Sequence, residues 1–217
     1  MAGGELYDHL RKEKKFTEER ARFLGAEILL ALECLHLNNI IYRDLKPENV
    51  LVDSEGHIKL TDFGLSKIRK NEHEVAYTFC GTPEYLAPEV IKGEGHSKYV
   101  DYWSLGLIIF EMISGINPFK IKNKTKMEKM QMITNAQIPY FPVFSEKAKS
   151  FLQKLLVQDP RERLGFGANG IEDIKADPFF EDIDWKALYE KTLPVPQLPH
   201  SDLVLDLSEY YGADLNN

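Results

Sequence analysis

Asp44, Lys46, Asn49 and Asp62 fall within nineteen residues, in the strings YRDLKPENVLV (42–52) and IKLTDFGL (58–65). Phosphoryl transfer asks a protein for positioning and charge neutralisation more than for covalent chemistry. A carboxylate such as Asp44 can orient an acceptor hydroxyl, and a cation such as Lys46 can meet the transferred phosphate. Asn49 and Asp62 supply the oxygen donors that Mg²⁺, a hard cation, prefers. The competing reading is a pair of Asp/Asn-rich surface turns. It accounts for either string alone better than for both in this order.

Such a set works only if a frame brings it together. Residues 4–13 read as a short helix. A longer one starts at Thr17, with Glu18 and Glu19 in its positive first turn and Leu24, Ile28, Leu32 and Leu35 as its buried stripe. Asn38-Asn39 ends it. Extended pieces follow at 40–42, 50–52 and 58–61, the last two joined by the turn Asp53–Gly56 as a hairpin that places Asn49 and Asp62 on one side. Residues 65–88 show no sustained period and read as a long functional loop. Helices are expected at 101–114, 123–135, 145–157 and 170–177, then an extended tail after Trp185 with Pro194, Pro196 and Pro199. The fold class is mainly α with a few short β-hairpin strands.

In this order the strings resemble the eukaryotic protein kinase family, whose signatures are the RD catalytic loop, DFG and APE. Here they are Arg43-Asp44, Asp62-Phe63-Gly64 and Ala87-Pro88-Glu89, with Tyr42 where many members have His. Lys46-Pro47-Glu48 is similar to the Ser/Thr-directed branch, and TFCGTPEYLAPE (78–89) to the AGC group. The resemblance implies a protein-kinase-like C-terminal lobe over 1–180, and a partial AGC tail over 181–217. It implies ATP and Mg²⁺ as ligands, with Lys46, Glu48, Asn49, Leu51, Thr61 and Asp62 on the nucleotide side. It also implies that Thr78 is phosphorylated by an upstream kinase, the phosphate then meeting Arg43 and Lys67. Thr82 would line the acceptor pocket and bridge Asp44 and Lys46, Glu89 would pair with Arg163, and Asp101 would anchor the catalytic loop. Glu5, Glu48 and Glu111 match positions that receive Arg side chains upstream of the acceptor, as carboxylates suit the guanidinium fork. Residues 206–211 (DLSEYY) could stand in for the tail segment that approaches the nucleotide.

The same resemblance raises two expectations about extent. A glycine-rich loop, a strand lysine and its helix glutamate should precede residue 1, and without them the 217 residues are expected to be nearly inactive. Gly165-Phe166-Gly167-Ala168-Asn169-Gly170 satisfies G-x-G-x-x-G, but it follows a polar run rather than a strand and reads as a loop. A non-catalytic module that keeps an acidic peptide groove is the alternative reading.

Composition is compatible with both. The net charge of −7 argues against nucleic acid or anionic membrane and suits basic peptides. Cys34 and Cys80 are the only cysteines and stand at no metal-ligand spacing, which suggests a reducing, cytoplasmic interior. The first fifteen residues have no apolar run of the signal-peptide kind. The apolar run 103–113 is far short of the ~20 residues of a membrane span.

Overall fold

Residues 3–71 and 74–196 are described by a computed structural model of the chain. Helix α1 (Leu6–Glu13) buries Leu6 and Leu10. Helix α2 (Glu18–Leu37) begins where the Thr17 hydroxyl accepts a hydrogen bond from the Arg20 amide. Its buried face carries Leu24, Ile28 and Leu32, and continues the four-residue step to a polar residue, His36. Helix α4 (Tyr99–Ser114) is buried along nearly its whole length, including Trp103, Ile108 and Phe110, as expected of a helix that is apolar all round. Gly25 lets α2 approach it, because a Cβ there would come within 2.8 Å of Ile109 Cδ1. The two helices form the centre of one hydrophobic core.

Strand β1 (Ile40–Ile41) leads from α2 toward the catalytic string. Strands β2 (Val50–Val52) and β3 (Ile58–Leu60) form the expected antiparallel hairpin, with Val50 opposite Leu60 and Val52 opposite Ile58. The expected loop at 65–88 contains structure that its pattern does not announce. Strand β4 (Lys67–Ile68) pairs antiparallel with β1, Ile40 opposite Ile68. Two residues with Ile68 turned to solvent have no readable alternation; pairing with a distant strand creates them. Helix α3 (Pro88–Lys92) is also additional, bounded by Pro88 in its first turn and Gly93 in the left-handed region.

Helices α5 (Lys126–Thr134), α6 (Glu146–Leu155) and α7 (Ile171–Lys175) lie inside the ranges expected for them. The extended tail expected after Trp185 instead opens with a helix, α8 (Trp185–Tyr189), too short to show a period. Its start is fixed by Asp184, whose carboxylate accepts from the Lys186 and Ala187 amides. Trp185 meets Phe180 edge-on, and Leu188 is buried. The segment 206–211 lies outside the described residues. No helix among the described residues is long and apolar enough to cross a membrane.

One buried contact pins the β2–β3 hairpin to α2. Glu27 Oε1 lies 2.5 Å from His57 Nδ1, and Glu27 Oε2 accepts from the Ile58 amide at 2.9 Å. Burial pushes the Glu27 carboxyl above its usual range, and the bonds from His57 and Ile58 oppose that rise. Glu27→Ala leaves a buried amide and a buried imidazole unpaired, which is expected to destabilise the fold by about 2–4 kcal/mol. Denaturant unfolding at neutral pH checks this; a loss below about 0.5 kcal/mol would mean that the contact is replaceable.

Candidate active site

Asp101 is fully buried in the first turn of α4, and its carboxylate organises the loop before Asp44. Oδ2 accepts from the Tyr42 amide at 3.0 Å and Oδ1 from the Arg43 amide at 2.9 Å. His36 Nε2 stands 2.7 Å from Oδ2, so α2, α4 and the loop meet at one carboxylate. Arg43 is held at φ 70°, a conformation that is uncommon outside glycine and persists when its surroundings over-determine it. Sequence reading missed His36, although its place on the buried stripe of α2 was a usable signal.

Beyond this bend Asp44 is buried, with donors around both oxygens. Oδ1 accepts from the Thr82 amide at 3.1 Å and the Thr82 hydroxyl at 3.0 Å. Oδ2 lies 3.0 Å from both Asn49 Nδ2 and Lys46 Nζ. Lys46 Nζ also donates to the Thr82 hydroxyl at 2.9 Å. Three residues of one short loop and Thr82, 38 positions on, thus form one closed network, with Asp44 at its centre. Gly81 lets the Thr82 loop lie against it. At φ 111° only glycine is comfortable, and a Cβ there would sit 2.9 Å from the Arg43 carbonyl oxygen.

Asn49 also donates to the Asp44 carbonyl at 2.8 Å, which commits its amide nitrogen to Asp44. The Thr61 amide donates to the Asn49 carbonyl at 2.9 Å and so ties Asn49 to the residue preceding Asp62. Asp62 is exposed, sits at φ 56°, and uses Oδ1 to accept from the Gly64 amide at 3.1 Å. Burial raises the Tyr42 phenol well above its ordinary value, and the fields of Asp44, Asp62 and Asp101 raise it further. All three acids therefore surround one ring, which also meets Phe63 edge-on and donates its hydroxyl to the Thr61 carbonyl. Among the described residues no three His, Cys, Asp or Glu side chains cluster to hold a metal. An amide oxygen and a carboxylate, those of Asn49 and Asp62, are the donor types that Mg²⁺ takes from a protein when substrate phosphates supply the rest. Leu51 is half-buried on β2, beside the backbone of Glu5, to which it bridges.

Glu48 and Glu111 converge on Tyr85. The Tyr85 hydroxyl donates to Glu111 Oε2, and both acids raise the phenol beyond what burial does. Burial raises the Glu111 carboxyl above the usual range, with Glu48 adding to the rise, while Tyr85 and Lys120 oppose it. Glu48 Oε2 is buried without a partner. Glu5 is the N-cap residue of α1.

Thr78 is exposed. Arg43 Nε donates to the Leu65 carbonyl at 2.7 Å, and Lys67 Nζ lies 3.0 Å from Glu74 Oε1, so neither cation is bonded to Thr78. Glu89 and Arg163 form a buried bidentate pair at 2.8 and 3.0 Å. The glycines at 165–170 lie between α6 and α7, with no strand before them, and Gly170 is the N-cap of the five-residue α7.

Comparison with known proteins supplies the family. A model described as "Protein kinase domain" matches residues 1–180. "Protein kinase 3" of Dictyostelium discoideum is 52% identical over 208 residues, covering 92% of this chain and 22% of that protein. "Serine/threonine-protein kinase SCH9" of Candida albicans is 49% identical over 211 residues, covering 97% of this chain and 27% of that protein. The "RAC family serine/threonine-protein kinase homolog" of Dictyostelium discoideum is 48% identical over 208 residues, at 95% and 46%. The chain spans less than half the length of each of these relatives. With a family match over residues 1–180 and serine/threonine kinases among its relatives at about half identity, the chain belongs to the protein kinase family, among the serine/threonine kinases of the AGC group.

Proposed function

We propose that the protein carrying these residues transfers the γ-phosphate of ATP to Ser or Thr in protein substrates with basic residues upstream. The observation that carries this reading is the Asp44–Lys46–Asn49–Thr82 network. In this structure both Asp44 oxygens are filled by donors. An entering acceptor hydroxyl takes the place of Lys46 or Thr82 at Asp44, which would orient it and accept its proton as the new P–O bond forms. The bond from the γ-phosphorus to the bridging oxygen breaks, ADP leaving with that electron pair. Lys46, released from Asp44, remains close enough to neutralise the transferred group. Bound Mg·ATP supplies the phosphoryl group and the metal charge, and Asn49 and Asp62 offer the protein oxygens that hold it. Leu51 and Thr61 face the nucleotide side.

Glu48 and Glu111 form the basic-residue subsite, with Glu5 as a separate contact further along the substrate. Residues 1–180 serve as the kinase lobe and 181–217 as the start of its tail. Phosphorylation of Thr78 by an upstream kinase would recruit Arg43 from Leu65 and Lys67 from Glu74. The protein is assigned to a reducing, cytoplasmic interior. Taken alone, the 217 residues are expected to transfer phosphate far more slowly than a kinase domain that also carries a strand lysine and a phosphate-covering glycine loop.

An arginine-scanned Ser/Thr peptide library on the full-length protein tests this reading. Upstream Arg should be preferred, and Glu111→Gln should raise the KM for such peptides about tenfold or more with little change for peptides lacking Arg. Because the Glu111 carboxyl is raised, its affinity for Arg should fade as pH drops through that raised range, earlier than for an ordinary carboxylate. The sign for stability is opposite. As pH rises from the unfolded carboxyl range through the raised folded one, ionising Glu111 works against folding. Indifference to upstream Arg in the wild type would remove the subsite assignment. Arg-peptide binding without any phosphate transfer would favour the non-catalytic module.

A further inference from the structure

One sizeable cavity has none of the Asp44 network residues in its lining. It measures about 510 Å³ and is walled by Pro118, Ile121, Met132, Ile138 and Pro139, with Lys124 at its edge. Both walls are firmly placed. Asn117 Oδ1 accepts from the Phe119 amide, and Phe119 stacks on Trp103 in the core. On the other side, Thr125 and Glu128 form a reciprocal cap at the start of α5. The cavity is therefore an ordered recess in the fold.

The charge around it is opposite to that of the rest of the chain. Residues 120–129 contain five lysines against one glutamate, a local +4 in a chain of net −7. Met127 is 80% exposed on the outer face of α5, beside this lysine run. A solvated lysine face needs neither a recess of this size nor an exposed methionine. A flat anionic bilayer would meet the lysines but could not fill a recessed apolar hole. A protruding side chain can do so. Helix α5 also packs against the turn that follows Thr82, and Lys129 lies 3.6 Å from Glu84 there, so the recess sits beside the acceptor-side loop.

We propose that this recess is a docking site for an acidic segment of a partner protein, which places a bulky apolar side chain between Ile121, Met132 and Ile138 while its carboxylates meet the lysine rim. Apolar burial supplies the anchor and the lysines supply orientation and approach rate. The segment is distinct from a basic acceptor peptide, which the acids at Glu48 and Glu111 would draw instead. A substrate bearing both features would engage two surfaces at once, raising its local concentration at Asp44.

The test uses the full-length protein and a fluorescently labelled peptide of Asp and Glu with two leucines one helical turn apart and no Ser, Thr or Tyr. Binding is then read without any phosphate transfer. The expected result is saturable binding that weakens with salt, is outcompeted by unlabelled peptide, and falls about tenfold in the Lys124→Glu/Lys126→Glu variant. Ile138→Ser should weaken it at constant charge, with the melting temperature checked for each variant. A peptide with Ser in place of both leucines should bind more weakly. Equal binding by wild type and the charge-reversed variant would overturn the proposal. So would a preference for phosphatidylserine vesicles over the peptide, or equal affinity for the leucine and serine peptides.

Discussion

Replacing Asp44 with Asn in the full-length protein is expected to lower kcat by about 10²–10⁴-fold, the range associated with removing a positioned general base. The KM for ATP should change little, because Asp44 faces the acceptor rather than the nucleotide. The substitution is nearly isosteric but not silent. Donors surround both Asp44 oxygens, from Thr82 on one and from Asn49 and Lys46 on the other. Whichever way the new amide points, its NH₂ faces a donor, so a stability loss of about 1–3 kcal/mol accompanies the loss of rate. Measuring kcat and the melting temperature together separates the two. Thr82→Ala serves as the second variant, since it removes one donor and leaves the carboxylate. Its kcat should remain well above that of Asp44→Asn. If Asp44→Asn retained kcat within about threefold of wild type, Asp44 could not be the group that orients the acceptor.

Local chemistry was legible where one segment decides its own shape. Thr17 before Glu18 and Glu19 announces the start of α2, and Asp53–Gly56 announces the hairpin, because capping and turn geometry depend on neighbours in sequence. The RD, DFG and APE strings pointed to the candidate site residues for a similar reason: each is a short run of fixed spacing. What could not be read is the material that holds these runs together. His36 and Asp101 are 65 residues apart, and Glu27 and His57 are 30 apart. No periodicity links such pairs, and only the close approach of α2 to α4 and to the hairpin creates the contacts. Strand β4 is invisible for the same reason, because Lys67 and Ile68 become a strand only against Ile40 and Ile41. The network around Asp44 needs Gly81 at φ 111° so that Thr82 can reach back across the catalytic loop. That geometry is a property of the folded chain and has no local signature beyond the glycine itself.

The second large effect is expected at Arg163, far from any reacting atom. Its guanidinium is 1% exposed and donates to both Glu89 oxygens, to the Tyr99 carbonyl at 2.7 Å and to the Val157 carbonyl at 3.3 Å. It also lies over the Trp103 ring at 5.4 Å. Arg163→Ala strands a buried carboxylate and takes one donor from each of two carbonyls, so a loss of about 3–5 kcal/mol is expected. For a domain of this size that lowers the melting temperature by roughly 10 °C or more. Arg163→Lys should be nearly as damaging, because an ammonium cannot reproduce the planar fork that serves four acceptors. Replacing both partners, as Glu89→Leu with Arg163→Met, should recover only part of the loss. It removes the stranded charge, yet the bonds from Arg163 to the Tyr99 and Val157 carbonyls are lost. Glu89 lies in α3, directly after the turn that follows Thr82, so the stability loss should be accompanied by a fall in kcat at temperatures where the fold is still intact. A melting temperature for Arg163→Lys within 2 °C of wild type would show that charge alone sustains the pair, and that the fork geometry contributes little.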